Sequence, residues 1–172
     1  MSFVGDDSRA RAIALVRAAR GGDTLAMAGL LDALTPYVGT ICASIALEHG
    51  RDAAQEAMIA IFRSLKSLRD PDALFGWVRQ IATREALRVA TREGQAAGPE
   101  LPELPAPGSP QLATDVGDVL RRLSPEHRAI LVLRDLEGYS EDEAAELLKV
   151  PAGTVKSRLH RARENFRKAW TS

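Results

Sequence analysis

Apolar residues recur along this chain at helical spacing. Leu30, Leu34, Val38, Ile41 and Ile45 fall three or four apart, so a helix turning 100° per residue gathers them on one stripe. Ala54, Met58, Ile61, Leu65 and Leu68 repeat the pattern behind Asp52, and Val78, Ala82, Ala86 and Val89 repeat it behind Trp77. Ile13, Leu15 and Val16 predict an earlier helix from Ser8 to Arg20, stopped by Gly21-Gly22-Asp23. Pro36 interrupts the second series and either kinks that helix or starts a new one with Thr35 as its cap, and His49-Gly50 closes it. Asp70-Pro71 marks a loop over residues 69–76.

The C-terminal third is the most informative stretch. Leu112 to Leu123 predicts a helix, after which Ser124 caps another with Pro125 at its first position, and Ile130, Leu131 and Leu133 pack against the two helices after it. Ser140 and Glu143 have the spacing of a capping box and open a short helix with Ala144, Leu147 and Leu148 on its inner face. Lys149 to Ala152 breaks it, since Pro151 fits a turn or a first helical position. A second helix then carries Val155, Leu159, Ala162 and Phe166 inward and leaves Thr154, Lys156, Ser157, Arg158, His160 and Arg161 around its outer side. Short polar side chains near a helix N-terminus, flanked by arginines, suit entry into a major groove. The pattern is a helix-turn-helix whose second helix reads duplex DNA.

Composition narrows the alternatives. The chain has 172 residues, 45% of them apolar and only 5% aromatic, which favours an all-α protein whose core is built from aliphatic and alanine-rich helices. No signal peptide is evident and no apolar run is long enough to span a bilayer. Cys42 is the single cysteine and reads as a small core side chain. His49, His127 and His160 are scattered, so neither metal-ligand spacing nor a nucleophile and base can be assembled. There is no glycine-rich phosphate loop. The expectation is therefore no catalysis, no metal and no cofactor.

Charge is balanced overall, with 23 basic and 23 acidic residues, but it is segregated. Asp135, Glu137, Glu141, Asp142, Glu143 and Glu146 form an acidic stretch without a base, whereas Lys156, Arg158, Arg161, Arg163, Arg167 and Lys168 answer a single Glu164. Such polarity orients a domain on a polyanion. Opposite the apolar stripe of the helix opened by Asp52, the residues Asp52, Gln55, Glu56, Ile59 and Arg63 project together. Gln80, Thr83, Arg84, Arg88 and Thr91 form a polar, basic ridge on the helix opened by Trp77, which is either a core anchor or a platform for an unpaired base. Residues 93–111 hold five prolines and three glycines and read as a flexible linker. They separate a helical domain over 1–92 from a second over 112–172.

The run LSPEHRAILVLRDLEGYSEDEAAELLKVPAGTVKSRLHRARENF, residues 123–166, resembles region four of the extracytoplasmic-function (ECF) group of the bacterial sigma-70 family of RNA polymerase sigma factors. Gly153 to Ala162 is its most specific part. Asp52-Ala53-Ala54-Gln55-Glu56 is similar to the acidic motif by which sigma region two grips polymerase. The resemblance implies two small all-α domains: region two, which binds the clamp helices of the beta-prime subunit and melted bases of the minus-10 element, and region four, which reads the minus-35 element. Asp52, Gln55, Glu56 and Ile59 would then bind polymerase. Trp77, Gln80, Thr83, Arg84 and Arg88 would serve promoter melting, and Thr154, Lys156, Ser157, Arg158, His160 and Arg161 would contact duplex DNA. It further implies core RNA polymerase and promoter DNA as partners, an anti-sigma factor as a further one, and a cytoplasmic, nucleoid-associated location without membrane insertion. The linker's negative charge is compatible with a path toward the RNA exit channel. The chain departs from the family at Lys149, where glycine is common, and at Arg84 and Arg88, where asparagine and aspartate are common; the stretch from Trp77 is closer to primary sigma factors. Two other readings remain: a polymerase-independent helix-turn-helix regulator, which would call for a ligand-sensing or dimerising N-terminal half, and a sigma mimic that sequesters an anti-sigma protein, which needs no arginine-rich reading helix.

Overall fold

The computed structural model of the protein describes residues 6–96 and 116–171. Among them the regular structure is entirely helical. A first unit contains α1 (Asp6–Arg20), α2 (Thr24–Ala46), α3 (Gly50–Ser64) and α4 (Leu74–Ala96). A second contains α5 (Val116–Arg121), α6 (Pro125–Leu131), α7 (Glu141–Leu148) and α8 (Ala152–Thr171).

The Asp23 carboxylate accepts the Ala26 amide at 3.0 Å and starts α2. That helix runs unbroken through Pro36, and Thr35 is not a cap: its hydroxyl donates back to the Leu31 carbonyl at 2.8 Å. An internal proline costs about 3 kcal/mol. Leu34, Tyr37, Val38, Ile41 and Ile45 are all buried around it, and each large apolar side chain returns roughly 1.5–3 kcal/mol, so packing overrides the break. The stretch Thr24–Ser67 contains an 18-residue window of mean hydropathy 1.5, as apolar as a membrane span. Its apolar residues are the core of the first unit, which accounts for that hydropathy. Cys42 lies in this core, and burial pushes its thiol up to about 12, far from a reactive thiolate.

Leu47, at φ 51°, ends α2, and a short turn (Leu47–His49) leads into α3 at Gly50. A Cβ on Gly50 would stand 2.7 Å from the Cα of Ala43, so glycine is what lets α3 begin against α2. The helix therefore starts two residues before Asp52. Its buried residues are Ala53, Ala57 and Ile61, followed by Leu65 and Leu68, while the expected Ala54 and Met58 are half-buried at the edge. In α4, Val78, Ala82, Ala86 and Val89 are buried as their spacing predicts. This helix continues to Ala96, four residues into the segment expected as linker. Residues 97–115, including the predicted helix start at Leu112, lie outside the described residues.

In the second unit the Ser124 hydroxyl accepts the His127 amide at 3.3 Å, with Pro125 following at the first helical position. α6 passes into a π-helical turn (Val132–Leu136) closed by the Glu137 amide on the Val132 carbonyl at 2.9 Å. Gly138, at φ 72°, then redirects the chain toward α7. Ile130, Leu131 and Leu133 join Ala144, Leu147, Val155, Leu159 and Ala162 in one core. α6 and the π turn also pack on α2 and α4, and Ala129 and Val132 belong to the first unit's core.

Candidate nucleic-acid interface

The reading helix is built from local rules that the sequence states openly. Ser140 Oγ accepts the Glu143 amide at 3.2 Å, and the Glu143 carboxylate accepts the Ser140 amide at 2.7 Å, which completes the capping box of α7. The Ser140 amide and then its hydroxyl, which also donates to this carboxylate at 2.7 Å, hold the Glu143 carboxyl below its ordinary range. Lys149 ends α7 in the left-handed conformation, φ 54°, ψ 45°. The turn is thus the one a glycine would make, with lysine bearing the steric cost. The Thr154 amide donates to the Pro151 carbonyl at 2.8 Å and α8 begins.

Val155, Leu159 and Ala162 are buried and Phe166 is half-buried, as the stripe requires. Lys156, Ser157, His160 and Arg161 are exposed, and Thr154 and Arg158 are half-buried on the shoulders. Among the described residues Lys156, Arg158 and Arg161 enter no ion pair. Arg163 differs, because Asp135 of the π turn holds it through Nε at 3.2 Å and through a second bond from Nη2. Three cations of α8 are therefore uncommitted among the described residues, while a fourth braces the helix to its own domain.

The basic ridge of α4 is present but narrower than its sequence suggests. Gln80, Arg84 and Arg88 are exposed, and Trp77 is half-buried against the first core. Thr83 is fully buried, and its Oγ1 has no hydrogen-bond partner among the described residues. It lies one turn from Arg79, whose side chain faces the second unit. Arg88 is held by Glu85 at 2.7 Å and by Glu56 of α3 at 3.4 Å. On α3, Asp52, Gln55, Glu56 and Ile59 are all exposed on one face.

The second unit coincides with a known family: "Sigma-70, region 4" matches residues 114–166. Across more of the chain, the ECF RNA polymerase sigma-E factor of Haemophilus influenzae is 30% identical over 132 residues, an alignment covering 66% of this chain and 70% of the relative. The chain belongs to the ECF sigma factors.

Another member, the ECF RNA polymerase sigma factor SigE of Mycolicibacterium smegmatis, is 38% identical over 128 residues, which cover 67% of this chain and 49% of that protein. This chain thus matches about half the length of that relative. Two solved structures share the all-α, two-unit fold. CnrH, in complex with the cytosolic domain of CnrY, aligns at a TM-score of 0.58 and 21% identity over 92% of this chain and 96% of its own. The Bartonella quintana sigma factor RpoE, in complex with the anti-sigma factor NepR, aligns at 0.61 and 22% over 81% of this chain and 92% of its own.

Three features of this ECF sigma factor escape a reading of the sequence. Phe62 is 54% exposed beside Ile59, at 39%, and adds an apolar patch to the acidic face of α3. Its signal was an apolar residue three positions after Ile59 and off the buried stripe. His127 lies near Arg158 and Arg161: burial first, then those two cations, lower its pKa below the ordinary histidine value, against the opposing pull of Glu126. Arg79 and Glu137, 2.9 Å apart, join the two units, and nothing in the local sequence marks them as partners. Among the described residues no group of histidine, cysteine and carboxylate side chains is placed to hold a metal ion.

Proposed function

We propose that the chain is the dissociable promoter-specificity subunit of a bacterial RNA polymerase, working in the cytoplasm at the nucleoid and catalysing no reaction itself. The observation that carries this reading is the set of side chains on α8, where Lys156, Arg158 and Arg161, unpaired among the described residues, stand around a short polar face. Phosphate contacts from these cations fix register, while Thr154, Ser157, His160 and the arginines meet base edges of the minus-35 element. The domain over 112–172 performs this readout and the domain over 1–92 performs the rest, with the segment between α4 and α5 as their connection.

In the first domain, Asp52, Gln55, Glu56 and Ile59 bind the clamp helices of the beta-prime subunit, and Phe62 extends their apolar part. The acidic groups steer toward a basic partner, while the isoleucine and phenylalanine supply the desolvated centre of a small interface. Trp77, Gln80, Arg84 and Arg88 receive melted bases of the minus-10 element, Trp77 by stacking and the arginines by phosphate contact. An anti-sigma protein is a further partner, a reading supported by the complexes in which CnrH and RpoE were solved. The acidic face of α3 has no use in a regulator that acts without polymerase.

The test is transcription in vitro from a randomised promoter library, with core polymerase and this chain supplied together or singly. The reading predicts transcripts only when both are present, enriched for one pair of motifs about 25 base pairs apart, as the minus-35 and minus-10 positions require. Enrichment of a binding motif without core polymerase, and no transcripts with it, would favour the polymerase-independent regulator.

A further inference from the structure

Two exposed faces of this chain are complements of each other. The first is on α3. At 100° per residue, Asp52, Glu56 and Arg63 lie within about 40° of one another, and Gln55, Ile59 and Phe62 form a second strip beside them. Ile59 is 39% exposed and Phe62 54%, so a charged strip led by two acids runs alongside an apolar one. From Asp52 to Phe62 the face extends about 15 Å at 1.5 Å per residue. Within the chain α3 packs on α2 and α4 and leaves this face free.

The second face is a groove of about 900 Å³ in the second unit, between α5, the π turn and α8. Leu120, Leu131, Leu159 and Phe166 line its floor, and Val116 and Leu136 stand about half exposed at its mouth, at 51% and 48%. One wall is a row of α8 side chains, Lys156, His160, Arg163 and Arg167, spaced at one helical turn and about 16 Å long. Asp135 and Glu141 also line the groove, but Asp135 is committed to Arg163. Lys156 and Arg167 enter no ion pair among the described residues, so the α8 wall is basic.

We propose that the α3 face of one copy docks in the α8 groove of a second copy, with Ile59 and Phe62 on the apolar floor and Asp52 and Glu56 along the wall from Lys156 to Arg167. An amphipathic helix laid in an apolar groove is a recurring mode of recognition. Here the length of the face, the pairing of a charged strip with an apolar one and the sign of the charge all agree. A nucleic acid would satisfy the wall but gains nothing from Val116 and Leu136. The contact pairs unlike faces, so association is head to tail. One helix of about four turns covers less than about 1,200 Å², which makes the complex transient and dependent on concentration. Its consequence rests on the polymerase and promoter readings proposed above: docking hides Asp52 to Ile59 on one copy and Lys156 and His160 on the other, so chain in excess over core polymerase is held inactive.

Sedimentation velocity of the full chain between about 1 and 500 µM tests the docking without DNA or polymerase. Two variants reverse charges at separate points of each strip, so that no register is assumed: Asp52→Lys with Glu56→Lys on α3, and Lys156→Glu with Arg167→Glu on α8. Phe62→Ser removes the apolar anchor, and circular dichroism checks that each variant is folded. Wild type is expected to gain mass with concentration and to associate less at high salt. Each double reversal is expected to weaken association at least about tenfold, and Phe62→Ser at least about threefold. An equimolar mixture of the two reversal variants is expected to associate again, because the basic α3 face meets the acidic wall and the two untouched faces still fit. A wild type that stays monomeric throughout would overturn the proposal and leave the groove to residues 97–115 of the chain or to a partner protein. A folded reversal on either face that associates like wild type, or a mixture that stays monomeric, would also overturn it. None of these results touches the polymerase reading, which binding to core tests separately.

Discussion

Replacing Arg158 and Arg161 together by alanine isolates the reading helix, because neither is in an ion pair among the described residues and neither belongs to the buried core. Arg161 is exposed and Arg158 half-buried, and substitutions outside the core and away from caps usually change stability by no more than about 0.5 kcal/mol, so the loss should appear chiefly in DNA binding. Each phosphate contact contributes about 0.9 to the slope of log affinity against log salt. Between 50 and 200 mM salt, a fourfold change, one contact is therefore worth about 3.5-fold in salt sensitivity and two are worth about 12-fold. If the arginines meet guanine edges instead, each costs roughly 1–3 kcal/mol at every salt concentration, and preference at the contacted base relaxes. Fluorescence anisotropy with a promoter duplex across that range separates the two outcomes, and circular dichroism confirms the fold. A folded double variant with unchanged affinity, sequence preference and salt slope would refute the assignment of α8.

Four further outcomes are expected. Lys149→Gly should raise stability by about 0.5–1 kcal/mol, the left-handed penalty of roughly 1–2 kcal/mol less the extra chain entropy of glycine, and shift the melting midpoint up by about 1–4 °C. Trp77→Ala should lose about 1–3 kcal/mol of base stacking and impair transcription less on a pre-melted bubble template than on duplex; equal loss on both, with a collapsed melting curve, would assign Trp77 to the core alone. His127 should titrate below the ordinary histidine value by NMR, and move up when Arg158 and Arg161 are alanine. Because folding depresses this pKa, its contribution to stability is present above about pH 6.5 and is lost as the pH falls through the folded value; a flat stability profile there would contradict it. Arg88→Gln should weaken single-stranded DNA binding and reduce the salt slope by about one contact, although the ion pair to Glu56 that it also removes is half-exposed and adds little to the fold.

What the sequence made legible is what local rules decide. The capping box at Ser140, the serine and proline at Ser124-Pro125, and the stripe of Val155, Leu159 and Ala162 depend on neighbours within one helical turn, and all are found as expected. Where two elements meet, local rules lose. Thr83 has the spacing of a surface residue on α4 but is fully buried, one turn from the Arg79–Glu137 pair. Thr35 looks like a cap, yet burial of the residues after Pro36 carries α2 straight through. The stripe of α3 is displaced because Gly50 lets the helix begin against Ala43. The pairing of Arg79 with Glu137, 58 positions apart in sequence, is decided by the meeting of two units and leaves no periodic trace.

The central claim is that this ECF sigma factor holds core polymerase by the exposed face of α3, and Glu56 tests it most directly. Glu56→Lys reverses a charge on a side chain that is 48% exposed, away from any cap, so thermal melting and DNA binding by α8 should be unchanged. A basic clamp surface would then meet a like charge. The measurement is the affinity of the full chain for core polymerase, followed by fluorescence anisotropy. The account predicts a folded variant whose binding to core falls at least about tenfold, equivalent to about 1.4 kcal/mol; a folded Glu56→Lys chain that binds core as tightly as wild type would contradict it.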